Sequence, residues 1–148
     1  MLDTRTTLRP APFLKGAGRI PFEEIAQAVL GKNYELSLVI CGDNLARRMN
    51  REYRLPSLKL RQASKKNYSP NVLSFPLSKT EGEIFLNVRA AAREARRFRV
   101  SVRDRVAFLF VHGCFHLKGL QHGRIMEAQE QRILRVFHFS CNGQYIQE

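Results

Sequence analysis

Acidic residues are scarce in this chain. Its 148 residues include 13 Asp and Glu against 25 Lys and Arg, which gives a formal net charge of +12. Such an excess of positive charge makes a polyanion the natural partner.

Long apolar runs and a disulfide framework are also missing. No stretch approaches the ~20 apolar residues of a membrane span, and the N-terminal segment MLDTRTTLRP lacks the apolar core of a signal peptide. Cys41, Cys114 and Cys141 are odd in number and widely spaced, which predicts reduced thiols rather than disulfides. We therefore expect a cytoplasmic protein that does not enter a membrane.

The length predicts one domain over residues 1–148, enough to bury roughly two-thirds of the unfolded chain's surface. Strand and helix patterns alternate along it, and 55–70 has neither pattern. The patterns predict strands at 2–8, 34–41, 71–75 and 83–87. They predict helices at 21–30, 43–53, 101–117 and 126–137, and a further arginine-rich helix that begins after Asn87. Pro21 is predicted as the first residue of its helix, and Asp43, Asn87 and Ser101 are predicted as N-caps.

Three of the four histidines stand in one short run, VHGCFHLKGLQHG. On a helix, His112 and His116 lie one turn apart on the same face, and Cys114 points away from that face. A turn at Gly119 then brings His122 from a third direction. Three imidazoles suit a zinc ion with an open fourth position for water, the pattern of catalytic sites. His138 stands apart and is expected to be an ordinary hydrogen-bonded core residue.

Gly113 occupies the position that holds glutamate in zinc proteases with a similar histidine spacing. Without that general base, peptide hydrolysis is disfavoured. A glycine inside a helix costs about 1 kcal/mol relative to alanine. Its presence therefore predicts the close approach of another segment or of a substrate.

Arginine is concentrated just before the histidine helix, and a basic stretch lies further upstream. Arginine side chains match phosphate oxygens bidentately, so a nucleic acid is the favoured ligand and a solvated cationic face is the alternative. The candidate RNA-binding residues are Arg61, Lys65, Lys66, Arg89, Arg93, Arg96 and Arg97. The same arginine-rich region continues through Arg99, Arg103 and Arg105.

The histidine run resembles the HGxLHLxGxDH signature of the YbeY family of rRNA-maturation endoribonucleases. Two further segments resemble that family in the same order: MNREYR, and SPNVLSFPL followed by GEIFLN. The resemblance covers about residues 34–137, and three ordered motifs make it more specific than the histidine spacing alone.

The resemblance implies a single-domain α+β, zincin-like fold, in which helices flank a mixed sheet and the histidine helix lies across it. It implies that His112, His116 and His122 bind one zinc ion, although three histidines also accept other divalent metals. Arg54, in MNREYR, would contact the scissile phosphate and offset charge in the transition state. Ser74 and Phe75 would line the cleft.

The implied activity is hydrolysis of a phosphodiester in single-stranded RNA. The implied substrate is ribosomal RNA, above all the 3′ end of 16S rRNA, with a further role in late ribosome quality control. The implied partner is the ribosome or its small subunit.

Three features depart from the family pattern. Gln121 replaces the aspartate before the third histidine, so any role of that carboxylate beside the metal is missing. Phe115 replaces leucine, and the basic stretch between Arg54 and Ser69 is longer than usual.

Two other functions stay open. A non-catalytic ribosome or RNA assembly factor with a structural metal would close the site with a fourth protein ligand. A metal-dependent hydrolase of small molecules or peptides is disfavoured by the charge and by Gly113.

Overall fold

The computed structural model describes residues 1–9, 11–54 and 69–145, with Arg54 described in its backbone only. The strands are β1 (Leu2–Thr6), β2 (Glu35–Cys41), β3 (Val72–Pro76) and β4 (Glu81–Asn87). The helices are α1 (Phe22–Leu30), α2 (Asp43–Met49), α3 (Val88–Phe98), α4 (Val102–Leu117) and α5 (Arg124–Val136), and a π-helix, Asn50–Arg54, continues α2. The predicted α+β class is confirmed.

The four strands form one mixed sheet in the order β1-β2-β4-β3. β1, β2 and β4 are parallel, whereas β3 runs antiparallel to β4 and forms one edge. Because the three parallel strands run the same way, their carboxyl ends lie together along one side of the sheet.

Helices cover both faces of the sheet, but unequally. Leu38, Ile84 and Leu86 pack with α1, α3, α4 and α5 in the larger apolar core. Val39 and Phe85 point to the other face and pack with α2. Burial on both faces explains the nearly continuous apolar sequence of β2.

The histidine-bearing helix α4 is central to the larger core, with ten of its 16 residues buried. The hydroxyl of Ser101 caps it by accepting a hydrogen bond from the Asp104 N–H at 3.0 Å. A Cβ atom on Gly113 would lie only 3.1 Å from Ser74 Oγ and 3.2 Å from Val72 Cγ2. The predicted close approach at Gly113 is confirmed, and the approaching segment is strand β3.

Two predicted helix starts are corrected by one residue. Pro21 precedes α1 as its N-cap, and Asp43 is the first residue of α2, after Gly42. Asp43 is already helical and so does not hold the capping position, and its carboxylate instead accepts hydrogen bonds from Asn87 and Arg93. The predicted Asn87 cap of α3 is confirmed, since its side-chain oxygen accepts bonds from Arg89 N–H and Ala90 N–H.

All three cysteines are free thiols, and Cys41 and Cys114 are buried, as expected for reduced thiols. None of the helices in the described part of the chain is long and apolar enough to cross a membrane.

Candidate metal centre

The three histidines of the motif converge on one point. One ring nitrogen of each of His112, His116 and His122 lies within 4.8 Å of the other two. The Nε2 atoms of His112 and His116 are 3.0 Å apart. Two imidazoles on a tetrahedral zinc ion place their nitrogens about 3.3 Å apart, so the donor set fits such an ion.

The turn after α4 places the third histidine. Gly119 has a φ angle of 100°, a left-handed conformation that favours glycine. The chain then reverses toward α5, and the His122 ring lies with its centroid 4.9 Å from that of His112 and 4.6 Å from that of His116. His138 does not belong to this cluster, and the expectation that it is a core residue is wrong because its side chain is exposed.

A buried carboxylate orients the first histidine. Glu130 of α5 places Oε2 2.5 Å from His112 Nδ1, and the hydroxyl of Tyr145 donates to its Oε1 at 2.8 Å. With the proton on Nδ1 shared toward this carboxylate, His112 keeps the lone pair of Nε2 directed at the other two rings. Carboxylate–histidine pairs of this kind accompany most histidine ligands of metal ions.

Sequence reasoning missed Glu130, although a signal was present. On α5, Met126, Ile133 and Leu134 form the buried face, and Glu130 lies on that same face at helical spacing. A carboxylate on an apolar face requires a partner. Gln121, by contrast, is exposed, so the carboxylate beside the histidines comes from α5 rather than from the position before His122.

The environment favours neutral histidine at the centre of the cluster. Burial lowers the pKa of His116 below its usual value, and the neighbouring His112 and His122 rings lower it further. Neutral imidazole is the form that binds metal ions.

The histidines open into a cleft of about 540 Å³, the histidine cleft, whose other walls include Asn71, Val72, Ser74 and Phe108. The expectation that Ser74 lines the cleft is confirmed. The same expectation for Phe75 is wrong, because successive strand residues point to opposite faces. Phe75 instead packs against Phe85 on the face covered by α2.

The predicted RNA-binding arginines of α3 have different environments. Arg89, Arg93, Arg96 and Arg97 are all exposed. Arg93 donates to both carboxylate oxygens of Asp43, at 2.9 and 2.8 Å. These hydrogen bonds hold the pKa of Asp43 well below its usual range. Arg61, Lys65 and Lys66 lie outside the described residues, as does the side chain of Arg54.

Arg105 does not belong to a solvent-facing cationic surface. Its side chain is 7% exposed and its guanidinium contacts Glu94 at 2.8 Å, while Nη1 donates to the carbonyl and side-chain oxygens of Gln144. The expectation from local arginine density is corrected here because a charge inside a folded core needs partners.

The family described as "Endoribonuclease YbeY" matches residues 19–138. Endoribonuclease YbeY of Geobacter metallireducens is 35% identical, with 75% of this chain and 73% of the relative covered. The protein of the same name from Heliobacterium modesticaldum is 31% identical, with 91% of this chain and 92% of the relative covered.

The fold is also that of a solved structure. The solution structure of TM1509 from Thermotoga maritima superimposes with a TM-score of 0.61 over 91% of this chain and 87% of that protein, at 16% identity. The histidine motif, the match to the family over residues 19–138 and the similarity to curated relatives agree: this chain belongs to the YbeY family.

Proposed function

We propose that this protein is a zinc-dependent endoribonuclease that cleaves single-stranded RNA during ribosomal RNA maturation. The observation that carries the proposal is the convergence of His112, His116 and His122 in an open cleft, with Glu130 behind the first of them. The relatives named Endoribonuclease YbeY support the reaction class. The 3′ end of 16S rRNA is the proposed substrate, and late ribosome quality control in the cytoplasm the proposed setting, with the ribosome or its small subunit as partner.

The three histidines would hold one zinc ion through neutral ring nitrogens. When bound, zinc supplies Lewis-acid chemistry toward water and phosphate oxygens. Among the described residues, the cluster offers three ligands. A coordination position is then left for the reaction, whereas a structural zinc usually has four protein ligands.

The remaining residues would orient the site and hold the RNA. Glu130 fixes the ring of His112, and Tyr145 holds Glu130. Arg54 is proposed to contact the scissile phosphate and to offset negative charge in the transition state. Arg61, Lys65, Lys66, Arg89, Arg93, Arg96 and Arg97 are proposed to hold the RNA backbone by charge, with affinity that falls as salt rises.

The test compares zinc-loaded wild type with a His116→Ala variant on single-stranded and double-stranded forms of a 16S 3′-end RNA. His138→Ala is the matched control, because that histidine is exposed and outside the cluster. We expect single-stranded RNA to be cut internally by wild type and by His138→Ala. Folded His116→Ala should lose both zinc and cleavage.

Cleavage that persists in folded, zinc-free His116→Ala would contradict the proposal. RNA binding by wild type without cleavage, across several divalent metals, would instead favour an assembly factor with a structural metal. This second function is considered because Gln121 replaces the aspartate of the family pattern, so any role of that carboxylate beside the metal is missing.

A further inference from the structure

A second cleft lies at the carboxyl ends of the parallel strands. It has a volume of about 880 Å³. Thr7 follows β1, Gly42 follows β2 and Arg89 comes shortly after β4, and all three line it. Crevices outside the carboxyl ends of parallel strands are frequent ligand sites in α/β sheets. We call this the arginine cleft, because its walls include Arg47, Arg48, Arg51 and Arg89.

The arginine cleft is separate from the histidine cleft. Helix α2, which supplies Arg47 and Arg48, packs on the face of the sheet opposite α4. Two adjacent residues of α3 each contact one of the clefts. Arg93 donates a hydrogen bond to Asp43, which lines the arginine cleft, and Glu94 accepts one from Asn71, which lines the histidine cleft. The clefts are therefore neighbours on the molecule without sharing lining residues.

The charge of the arginine cleft is largely uncompensated. Within the described part of the chain, none of its four arginines has an ion pair with an acidic side chain. Asp43 is the acidic residue of the lining, and its carboxylate is taken up by Arg93 and Asn87. The cleft therefore presents an excess of positive charge to whatever enters it.

Two details show that this charge is built into the fold. A Cβ atom on Gly42 would lie 3.1 Å from Arg89 Nε and 3.2 Å from its Cδ, so the glycine lets the arginine lie across the backbone. The Nε atom of Arg47 is shielded from solvent and has no hydrogen-bond partner among the described residues. A buried donor without a partner is unfavourable, so a movement of the Arg47 side chain that brings this N–H to a phosphate oxygen in the cleft would be favoured.

We propose that the arginine cleft binds the phosphate backbone of an RNA strand at a position away from the histidines. The proposal rests on the proposed function, which supplies the RNA. Arginines from α2, the π-helix and α3 are spread along the cleft, which suits a chain of phosphates better than one anion. One strand could thus be held at the arginine cleft while another part of it enters the histidine cleft.

The test measures binding of a fluorescent single-stranded RNA in EDTA, where binding does not depend on metal or cleavage. Each arginine-to-glutamine triple variant removes three positive charges, and thermal unfolding checks its fold. The cleft variant is Arg47→Gln/Arg51→Gln/Arg89→Gln. The control is Arg124→Gln/Arg132→Gln/Arg135→Gln on the exposed side of α5.

Three lost phosphate contacts should reduce the steepness of log affinity against log salt by about 2. With the affinities of the variant and the wild type converging at about 1 M salt, this change corresponds to about 100-fold weaker binding of the variant at 0.1 M salt. We expect this loss in the cleft variant and a much smaller one in the control. If the triple variant does not fold, Arg48→Gln/Arg51→Gln, at two exposed positions, should lower the slope by about 1.4.

Equal affinities and slopes for the cleft and control variants would overturn the proposal, as would failure of the wild type to bind RNA. Binding of polyglutamate in preference to RNA at equal charge concentration would assign the cleft to an acidic protein and also overturn it. Cleavage by zinc-loaded wild type is scored separately. If RNA binding depends on the arginine cleft but no RNA is cleaved, this inference is supported and the proposed function is contradicted. If RNA is cleaved but its binding does not depend on the arginine cleft, the proposed function is supported and this inference is contradicted.

Discussion

Glu130→Gln tests whether the carboxylate behind His112 tunes the metal site. The Glu130 side chain is 2% exposed and its Oε2 lies 2.5 Å from His112 Nδ1. Glutamine preserves the shape and can still accept one hydrogen bond, but it removes the negative charge that strengthens the histidine as a ligand. Loss of such a partner lowers metal affinity by about 10- to 100-fold, or about 1.4 to 2.7 kcal/mol.

The measurement is competition for zinc between the apoprotein and a chromophoric chelator at fixed pH. Glu23→Gln is the matched control, because Glu23 is exposed on α1 and does not line the histidine cleft. Tyr145→Phe removes only the hydrogen bond to Glu130 Oε1, so its loss of affinity should be smaller than that of Glu130→Gln. A folded Glu130→Gln variant that binds zinc within twofold of Glu23→Gln would refute the positioning role.

Three substitutions test other contacts, each by chemical denaturation. Gly113→Val should lower the free energy of unfolding by about 1–3 kcal/mol, since its methyl groups would press on Val72 in strand β3. Asp43→Asn should lower it by about 1–3 kcal/mol at pH 7, because Arg93 loses its charged acceptor. The Asp43 pKa is lowered in the folded state, so the carboxylate stabilises the fold above its unfolded pKa, and the difference from wild type should shrink below about pH 4. Arg105→Met should cost about 3 kcal/mol, because it leaves the carboxylate of Glu94 without its buried partner. Unchanged denaturation midpoints would contradict each assignment.

The histidine centre was predictable because its information is local. His112 and His116 share a helix face by spacing alone, and Gly119 marks the turn that returns His122. Gly113 also predicted a close contact, although the sequence did not identify Ser74 and Val72 as the residues that make it. Helix and strand positions followed from short-range patterns and caps for the same reason.

The failures came from contacts between elements that are distant in sequence. Glu130 reaches His112 only because α5 packs on α4, 18 positions later in the chain. Phe75 was misplaced because a strand's register decides which of two neighbouring residues faces the cleft. A count of arginines could not separate Arg105, which is buried against Glu94, from the exposed arginines of α3.

The formal charge of +12 therefore overstates the number of cations available to RNA. Asp43 offsets part of the charge that exposed Arg93 can offer to RNA, and Arg105 is buried against Glu94, whereas the arginine cleft concentrates four arginines without acidic partners among the described residues. The salt dependence of RNA binding counts phosphate contacts rather than total charge. If binding is confined to the arginine cleft, its slope should correspond to about three to four contacts. A slope corresponding to about ten would mean that cations well beyond this cleft take part in binding.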